Sequence, residues 1–246
     1  MRTTIFAVLL VLTVGTRAQA VIDDLGKFLH TVEETTAVPA PLRADGEFEV
    51  VTTEGTRRAA VAFIVRPPAD SYIEVQRTGP KAVLLGQGQA YVLKDSSAKA
   101  DQAPLDASFA DSDFTCEDLE PFRMARYNDW RISDETGNEV TVTLYPKTSQ
   151  YSLVVTTFDS EKYVPLKTLY YRETLNNLVK MRRNADYGLV GRKWLPASIS
   201  MESFKLRTHS TFTLHWTQNP TFPPELFDPV FLSHPSGLVW PAAAAP

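Results

Sequence analysis

The chain has 246 residues, of which 43% are hydrophobic and 22% charged, with a net charge of −4 at neutral pH. That is ordinary globular composition, and the acidic balance argues against a nucleic-acid partner. The one cysteine, Cys116, rules out an internal disulfide, so a hydrophobic core must carry the stability.

The first twenty residues read as an export signal. Arg2 supplies the positive start, Ile5 to Val14 the apolar run, and Ala18-Gln19-Ala20 a small-x-small cleavage site. An apolar run of about ten residues is too short to span a bilayer about 30 Å thick as a helix. Cleavage after Ala20 leaves Val21 as the mature N-terminus, and because it is not Cys, no lipid attachment is expected there. The expected organisation is a signal peptide over 1–20, one domain over 21–235 and a loose tail over 236–246, in an exported chain.

From Val21 to about Thr36, the spacing of Val21, Ile22, Leu25, Phe28, Leu29 and Val32 predicts a helix with one apolar stripe, ended by Pro39 and Pro41. After Gly46 the period changes to two. Phe48 and Val50, then Val61, Phe63 and Val65, Ile73 and Val75, Val83 and Leu85, and Tyr91 and Leu93 alternate with smaller or polar residues. Turn signals separate these runs at Glu54-Gly55, Pro67-Pro68, Gly79-Pro80 and Gly86-Gln87-Gly88. The pattern is an antiparallel meander.

Lys94 to Ser112 is polar and reads as a long loop. It leads into Asp111-Ser112-Asp113-Phe114-Thr115-Cys116-Glu117-Asp118-Leu119, where Thr115 and Asp118 have the spacing of a capping box and Asp113 offers a second N-cap. Pro121 shortens the helix that follows. A short helix inserted mid-sheet can lie across a sheet face as a lid. Strands resume at Glu139 after a turn at Asp134–Gly137, with Val142 and Leu144, Leu153 and Val155, Val164, Leu166 and Tyr170, Leu178 to Arg183, Ile199 and Met201, and finally Phe212, Leu214 and Trp216. The parity of the large residues switches at Met201–Phe204, which marks a bulge or a turn.

Roughly ten or eleven strands against two helices point to one curved antiparallel sheet with an apolar concave face and a convex face toward water. No catalytic constellation accompanies it. Cys116 lies beside Glu117 and Asp118, which raise a thiol pKa, and no G-x-S-x-G motif is present. His209 and His215 are six residues apart on one strand, roughly 20 Å if it is continuous, too far for one metal. Lys180-Met181-Arg182-Arg183 reads as a solvated strand end, with contact to an anionic membrane surface as the alternative. The 26 aromatic residues (13 Phe, 9 Tyr, 4 Trp) fall largely on the apolar faces, and few helices are available to fill a wide curved sheet. A partly open apolar hollow is therefore expected.

Ser112-Asp113-Phe114-Thr115-Cys116-Glu117-Asp118-Leu119 resembles the G-S-D-F-S/T-Y-E-D-L segment of the LolA-like group of outer-membrane lipoprotein-sorting proteins, with Asp111 in place of Gly and Cys116 in place of Tyr. Leu144-Tyr145-Pro146-Lys147, Tyr163-Val164-Pro165-Leu166, Arg192-Lys193-Trp194-Leu195-Pro196 and Phe227 before Leu232 follow in matching order, so the likeness runs from about Ile22 to Leu232. Relatives often carry a Trp-x-Tyr-x-Pro strand before the motif. Ala90-Tyr91-Val92-Leu93-Lys94 stands here instead, which puts a different edge on the cavity.

The resemblance implies a mainly β fold, an unclosed half-barrel of one curved antiparallel sheet covered by an N-terminal and a short mid-chain helix. It also implies a periplasmic, non-enzymatic, monomeric carrier without cofactor or metal. Such a carrier takes acyl chains of lipoproteins or another lipid from an inner-membrane exporter toward an outer-membrane acceptor. The alternative is a regulatory module of the same fold that binds a partner protein. Strand parity makes the expected cavity lining Phe48, Val50, Phe63, Val65, Ile73, Val75, Val83, Leu85, Val142, Leu144, Leu153, Val155, Leu166, Phe212 and Leu214, with Phe28, Leu29, Phe114 and Leu119 in the lid.

Overall fold

The computed structural model describes residues 22, 24–67, 69–76, 79–85, 88–94, 100–218 and 220–238. The expected signal peptide, Gly86-Gln87 and the last eight residues of the tail lie outside them. The elements run α1 (Leu25–Thr36), β1 (Leu42–Thr52), β2 (Gly55–Arg66), β3 (Asp70–Val75), β4 (Lys81–Leu85), β5 (Gln89–Leu93), β6 (Asp101–Ala103), α2 (Cys116–Leu119), β7 (Tyr127–Thr136), β8 (Glu139–Pro146), β9 (Leu153–Asp159), β10 (Val164–Tyr171), β11 (Leu178–Val190), β12 (Lys193–Ser203) and β13 (Thr208–Gln218). Three short 3-10 turns complete the described residues, two of them after β13.

The strands form one antiparallel sheet in the order β6-β5-β4-β3-β2-β1-β13-β12-β11-β10-β9-β8-β7. Its centre is the pair β1–β13, with Phe48 opposite Phe212. Its two free edges, β6 and β7, are consecutive in the chain and do not pair, so the sheet is an open half-barrel. Residues 104–126, which carry α2, must therefore pass from one free edge to the other, and they do so across the concave face. Register shifts at Pro165/Lys167 and Tyr170/Tyr171 in β10, and at Tyr127/Asp129 and Ile132/Asp134 in β7, mark where that flank bends.

Thirteen strands exceed the ten or eleven expected because polar segments joined the sheet. β7 (YNDWRISDET) is a mostly exposed edge strand with no apolar alternation, and it runs through Thr136, where a turn was expected. β6 lies inside the expected loop over 94–112. β12 begins at Lys193, well before Ile199. The parity switch near Phe204 is a turn: Arg207 N–H donates to Ser203 O at 2.8 Å, and Arg207 takes a φ of 55°. The first helix starts at Leu25, because the Asp24 carboxylate accepts from Lys27 N–H at 2.9 Å and fixes the N-cap there.

α1 buries Phe28, Leu29 and Val32 against the sheet, with the Phe28 ring 5.9 Å from Phe158 and 5.6 Å from Tyr163. Its C-terminal carbonyls are held from β12, where Lys193 Nζ donates to Glu34 O at 2.7 Å and Thr35 O at 3.1 Å. The convex face does not meet water everywhere, contrary to the expectation from the sequence. Over β2–β5 it is covered by the segment after β13: Leu226, Phe227 and Leu232 pack on Ile64, Tyr72, Val83 and Leu93. Ser236 is buried and Leu238 packs on this cluster, so ordered contacts continue past the expected boundary at 235.

Gly46 lets β1 lie close against β13, since a Cβ there would stand 1.8 Å from Thr213 O. Gly46→Ala must push the central strands apart, and overpacking of this kind costs about 1–3 kcal/mol. A thermal melt followed by circular dichroism should show a lower midpoint than wild type with an unchanged native spectrum.

Candidate functional site

The concave face is divided. In one half the strap over 104–126 fills it with aromatic rings. Phe114 lies 5.0 Å from Phe212, Phe212 stacks on Phe48 at 4.3 Å, and Phe109 lies 6.3 Å from Phe48. In the other half a cavity of about 210 Å³ remains, open to solvent. Thr36 and Val38 at the end of α1, Glu117–Phe122 of the strap, Arg126 and Tyr127 close one side. Residues from β1, β2, β3 and β9–β13 form the wall, including Leu42, Phe63, Val65, Val154, Val164, Ile199, Trp194 and Trp216. Strands from both sides of the central pair reach one cavity because the sheet curls.

The expected lid residues Phe28, Leu29, Phe114 and Leu119 all lie in the concave core, as do Phe48, Val50, Phe63, Ile73, Val75, Val142, Leu144, Phe212 and Leu214. Val65 packs against that core. Five expected lining residues do not belong to it. Val83 and Leu85 are in the convex cluster, and on β4 it is Ala82 and Leu84 that point to the concave side. Leu153, Val155 and Leu166 lie outside the concave core, which takes Val154, Phe158 and Tyr170 instead. The physical reason is the same in each case. Lys81–Leu84 is buried on both faces, and Leu153-Val154-Val155 is apolar throughout, so neither run carries a period of two. In β10 the register shift at Pro165 resets the parity.

Of the expected lining, only Phe63 and Val65, with Leu119 from the lid, border the open cavity. Phe48, Val50 and Val75 border a second cavity of about 220 Å³, with Arg57, Ala110 and Asp111 at its rim. There Arg57 donates to Ala110 O at 2.7 Å. Phe28, Leu29, Ile73, Phe114, Val142, Leu144, Phe212 and Leu214 are filled core.

Parity of apolar residues could not find the polar part of the site. Asp118 is fully buried beneath the strap. Its carboxylate accepts from Thr115 N–H and Thr115 Oγ1 at 2.8 Å each, from Tyr151 OH at 2.9 Å and from Lys180 Nζ at 3.1 Å. Its carbonyl accepts from Arg182, whose Nε also donates to Asn184 Oδ1 at 2.9 Å. The capping box expected from Thr115 and Asp118 is therefore present, and the same carboxylate ties α2 to β11. Lys180 and Arg182 are not a solvated strand end. With Asn184 they stand at i, i+2 and i+4 of β11, so a polar alternation was the signal that an apolar search passes over. Asp113 does not cap a helix; it accepts from Ser210 Oγ at 2.7 Å and from Thr208 on β13.

At the mouth, Arg126 donates to Glu117 Oε1 at 3.1 Å and Glu120 Oε2 at 2.7 Å. Burial pushes both glutamates above the usual carboxylate range, opposed at Glu117 by a Ser149 hydrogen bond and then Arg126, and at Glu120 by Arg126 and Arg123. Burial first, and Glu120 and Asp118 next, push the Cys116 thiol up to about 11, so it is protonated and inert at neutral pH. His209 and His215 lie on one continuous strand, and His209 Nε2 is 2.8 Å from Thr211 Oγ1. Among the described residues no group of three or more His, Cys, Asp or Glu could hold a metal ion.

A protein-family model described as that of an uncharacterized protein matches residues 95–234. No curated protein matches. Among solved structures, the chain is similar to a domain from Vibrio parahaemolyticus assigned to outer membrane lipoprotein sorting. They share 15% identity over 85% of this chain and 97% of that one, at a TM-score of 0.75. It is also similar to a DUF1329 family protein from Desulfovibrio piger, with 15% identity, 82% and 95% coverage and a TM-score of 0.69. A LolA superfamily protein from Nitrosomonas europaea matches with 13% identity, 82% and 96% coverage and a TM-score of 0.64. At these identities the likeness is one of fold.

Two outcomes follow from the charge network. Asp118→Ala leaves Lys180 with no carboxylate and frees the strap, at a cost of about 3 kcal/mol. Denaturant unfolding should show that loss, and hydrogen exchange should speed up first within residues 104–126. Glu117 titrates higher in the folded than in the unfolded chain, so its contribution to stability is present below the ordinary carboxylate pKa and is lost as pH rises through the folded value. Glu117→Gln abolishes that dependence. The stability of wild type relative to the variant should therefore fall as pH rises above about 4 in matched urea titrations.

Proposed function

The chain belongs to the protein family matched over residues 95–234 and has the fold of LolA-like proteins, and from that premise we propose that it is an exported, periplasmic carrier of acyl chains. The signal peptide is cleaved after Ala20, and the half-barrel acts as a monomer without covalent catalysis. Its cargo is a lipoprotein's acyl chains or another lipid, received from an inner-membrane exporter and passed toward an outer-membrane acceptor.

The observation that carries this reading is the open cavity between α1, the strap and the curled wall of β9–β13. An apolar cavity of about 150 Å³ stays dry and admits a benzene-sized guest. The cavity here is of that order and takes the end of a chain as it stands. A longer chain requires the strap to lift its rings, Phe114 from Phe212 and Phe109 from Phe48. Each methylene buried contributes about 0.8 kcal/mol, so a chain of moderate length offsets the loss of those ring contacts. Release follows from any acceptor that favours the closed strap.

A second reading, a module that binds a partner protein, is favoured by three exposed apolar residues at one end of the sheet. Leu175, Phe204 and Leu206 project from the β10–β11 and β12–β13 turns. These turns adjoin, with Phe204 N–H donating to Val179 O at 3.1 Å.

Native mass spectrometry of the purified chain, with uptake of a fluorescent fatty acyl probe, decides between the readings. The carrier should retain lipid or take up the probe, and Ile199→Trp, which fills the cavity, should lower uptake at least about tenfold with the circular dichroism spectrum unchanged. Substituting Leu175, Phe204 and Leu206 by Ser should leave uptake intact. A chain that is clean of lipid and takes up no probe would overturn the carrier reading.

A further inference from the structure

We infer that the cavity selects amphiphiles whose head presents N–H or O–H donors, and discriminates against free carboxylates, by docking the head on Glu117 and Glu120. This rests on the carrier reading and names the chemistry of its ligand.

The Glu117 side chain is nine-tenths buried at the cavity wall. Its Oε1 accepts from Arg126, while its Oε2 is buried with no donor at hydrogen-bond distance among the described residues, although Ser149 and the Gln150 backbone lie near enough to the carboxylate to favour its charged form. Glu120, also at the wall, shares the same guanidinium. Arg126 lies between the two carboxylates and Arg123 is close enough to Glu120 to act on it, so two cations face two carboxylates and net charge does not decide the preference of this corner. The other charged groups of the wall are committed elsewhere. Arg182 donates to Asn184 and to the Asp118 carbonyl, and Asp118 is saturated by Thr115, Tyr151 and Lys180. Several neutral donors are engaged as well: Asn184 Nδ2 and Tyr187 OH both donate to Pro165 O, and Thr156 and Thr168 bond each other at 3.3 Å.

The buried side-chain hydrogen-bonding capacity left open at this wall, among the described residues, is an acceptor. A buried carboxylate oxygen without a partner is costly, and a ligand donor removes that cost while a ligand carboxylate adds repulsion. Burial raises the affinity of both glutamates for protons, which is the same preference for a donor seen by titration. Beside this corner lie Leu119, Phe122, Val164 and Ile199, which offer the tail an apolar wall. The ammonium of a phospholipid head and the amide N–H of an acylated chain share this donor chemistry.

Trp194 and Trp216 line the cavity and report on occupancy by their own fluorescence. Dodecylamine, N-dodecanoylethanolamine and dodecanoate, each below its micellar concentration at pH 7.5, separate head from tail at constant chain length. At least one donor-bearing probe should bind about tenfold or more tighter than dodecanoate, the scale of one hydrogen bond to a charged group. Preference for the amine alone identifies an ammonium source, and binding of the neutral amide as well identifies an acylated amide. Glu117→Gln should bring the donor-bearing probes close to dodecanoate without weakening dodecanoate, and Glu120→Gln should do so in part. Equal or tighter binding of dodecanoate by wild type, or full preference retained by a folded Glu117→Gln, overturns this inference and leaves the carrier reading standing. Failure of all three probes overturns both.

Discussion

The buried carboxylate of Asp118 joins three levels of the structure. Locally it closes the capping box that lets four residues form a helix at all. In the tertiary structure it anchors that helix to β11 through Lys180, and to Tyr151 just before β9. Its own carbonyl continues the tie through Arg182. A four-residue helix has almost no stability of its own, since nucleation alone is unfavourable. The strap therefore lies where it does because charge and hydrogen bonds hold it there, assisted by Asp113 on β13. A buried ion pair is a weak source of net stability but a strong source of position, because the alternatives leave a charge unpaired.

Position is what the topology demands at that place. The strap links the two unpaired edges of the sheet, so it cannot leave the concave face without a large detour. Where its aromatic residues reach Phe212 and Phe48, the hollow is filled. Where Pro121 turns the chain away and α1 ends at Thr36, it is not. The boundary between filled and open concavity is thus set by the length of the strap's aromatic run. The filler thus belongs to the connection between the two edges and not to the sheet.

Much of this was legible in the sequence. Alternation in β1, β2, β3, β8 and β13 assigned the concave face correctly, since each of these strands keeps a clean apolar period on that side. The capping box was readable because its chemistry is local. The errors fell where local pattern carries no information. β4 is apolar on both faces because the segment after β13 covers its back, a contact between residues about 150 apart that no window can see. β7 is polar on an edge, and Lys180, Arg182 and Asn184 face inward as polar residues that only their partners explain. The fold was read from periodicity, whereas the charged corner of the cavity depends on which strands meet, and that is decided by the curl of the whole sheet.

The central pairing of β1 with β13 also orders events in time. Leu42 lies opposite Gln218, so the middle of the sheet cannot exist until almost the entire chain is available. A chain delivered N-terminus first, whether from a ribosome or through a translocation pore, would expose one flank of β1 for the whole of that interval. Non-local closure of this kind is slow, and an uncovered strand edge invites pairing with a neighbour. Maturation should be governed less by the stability of the finished half-barrel than by what shields that edge while it waits for its last strand.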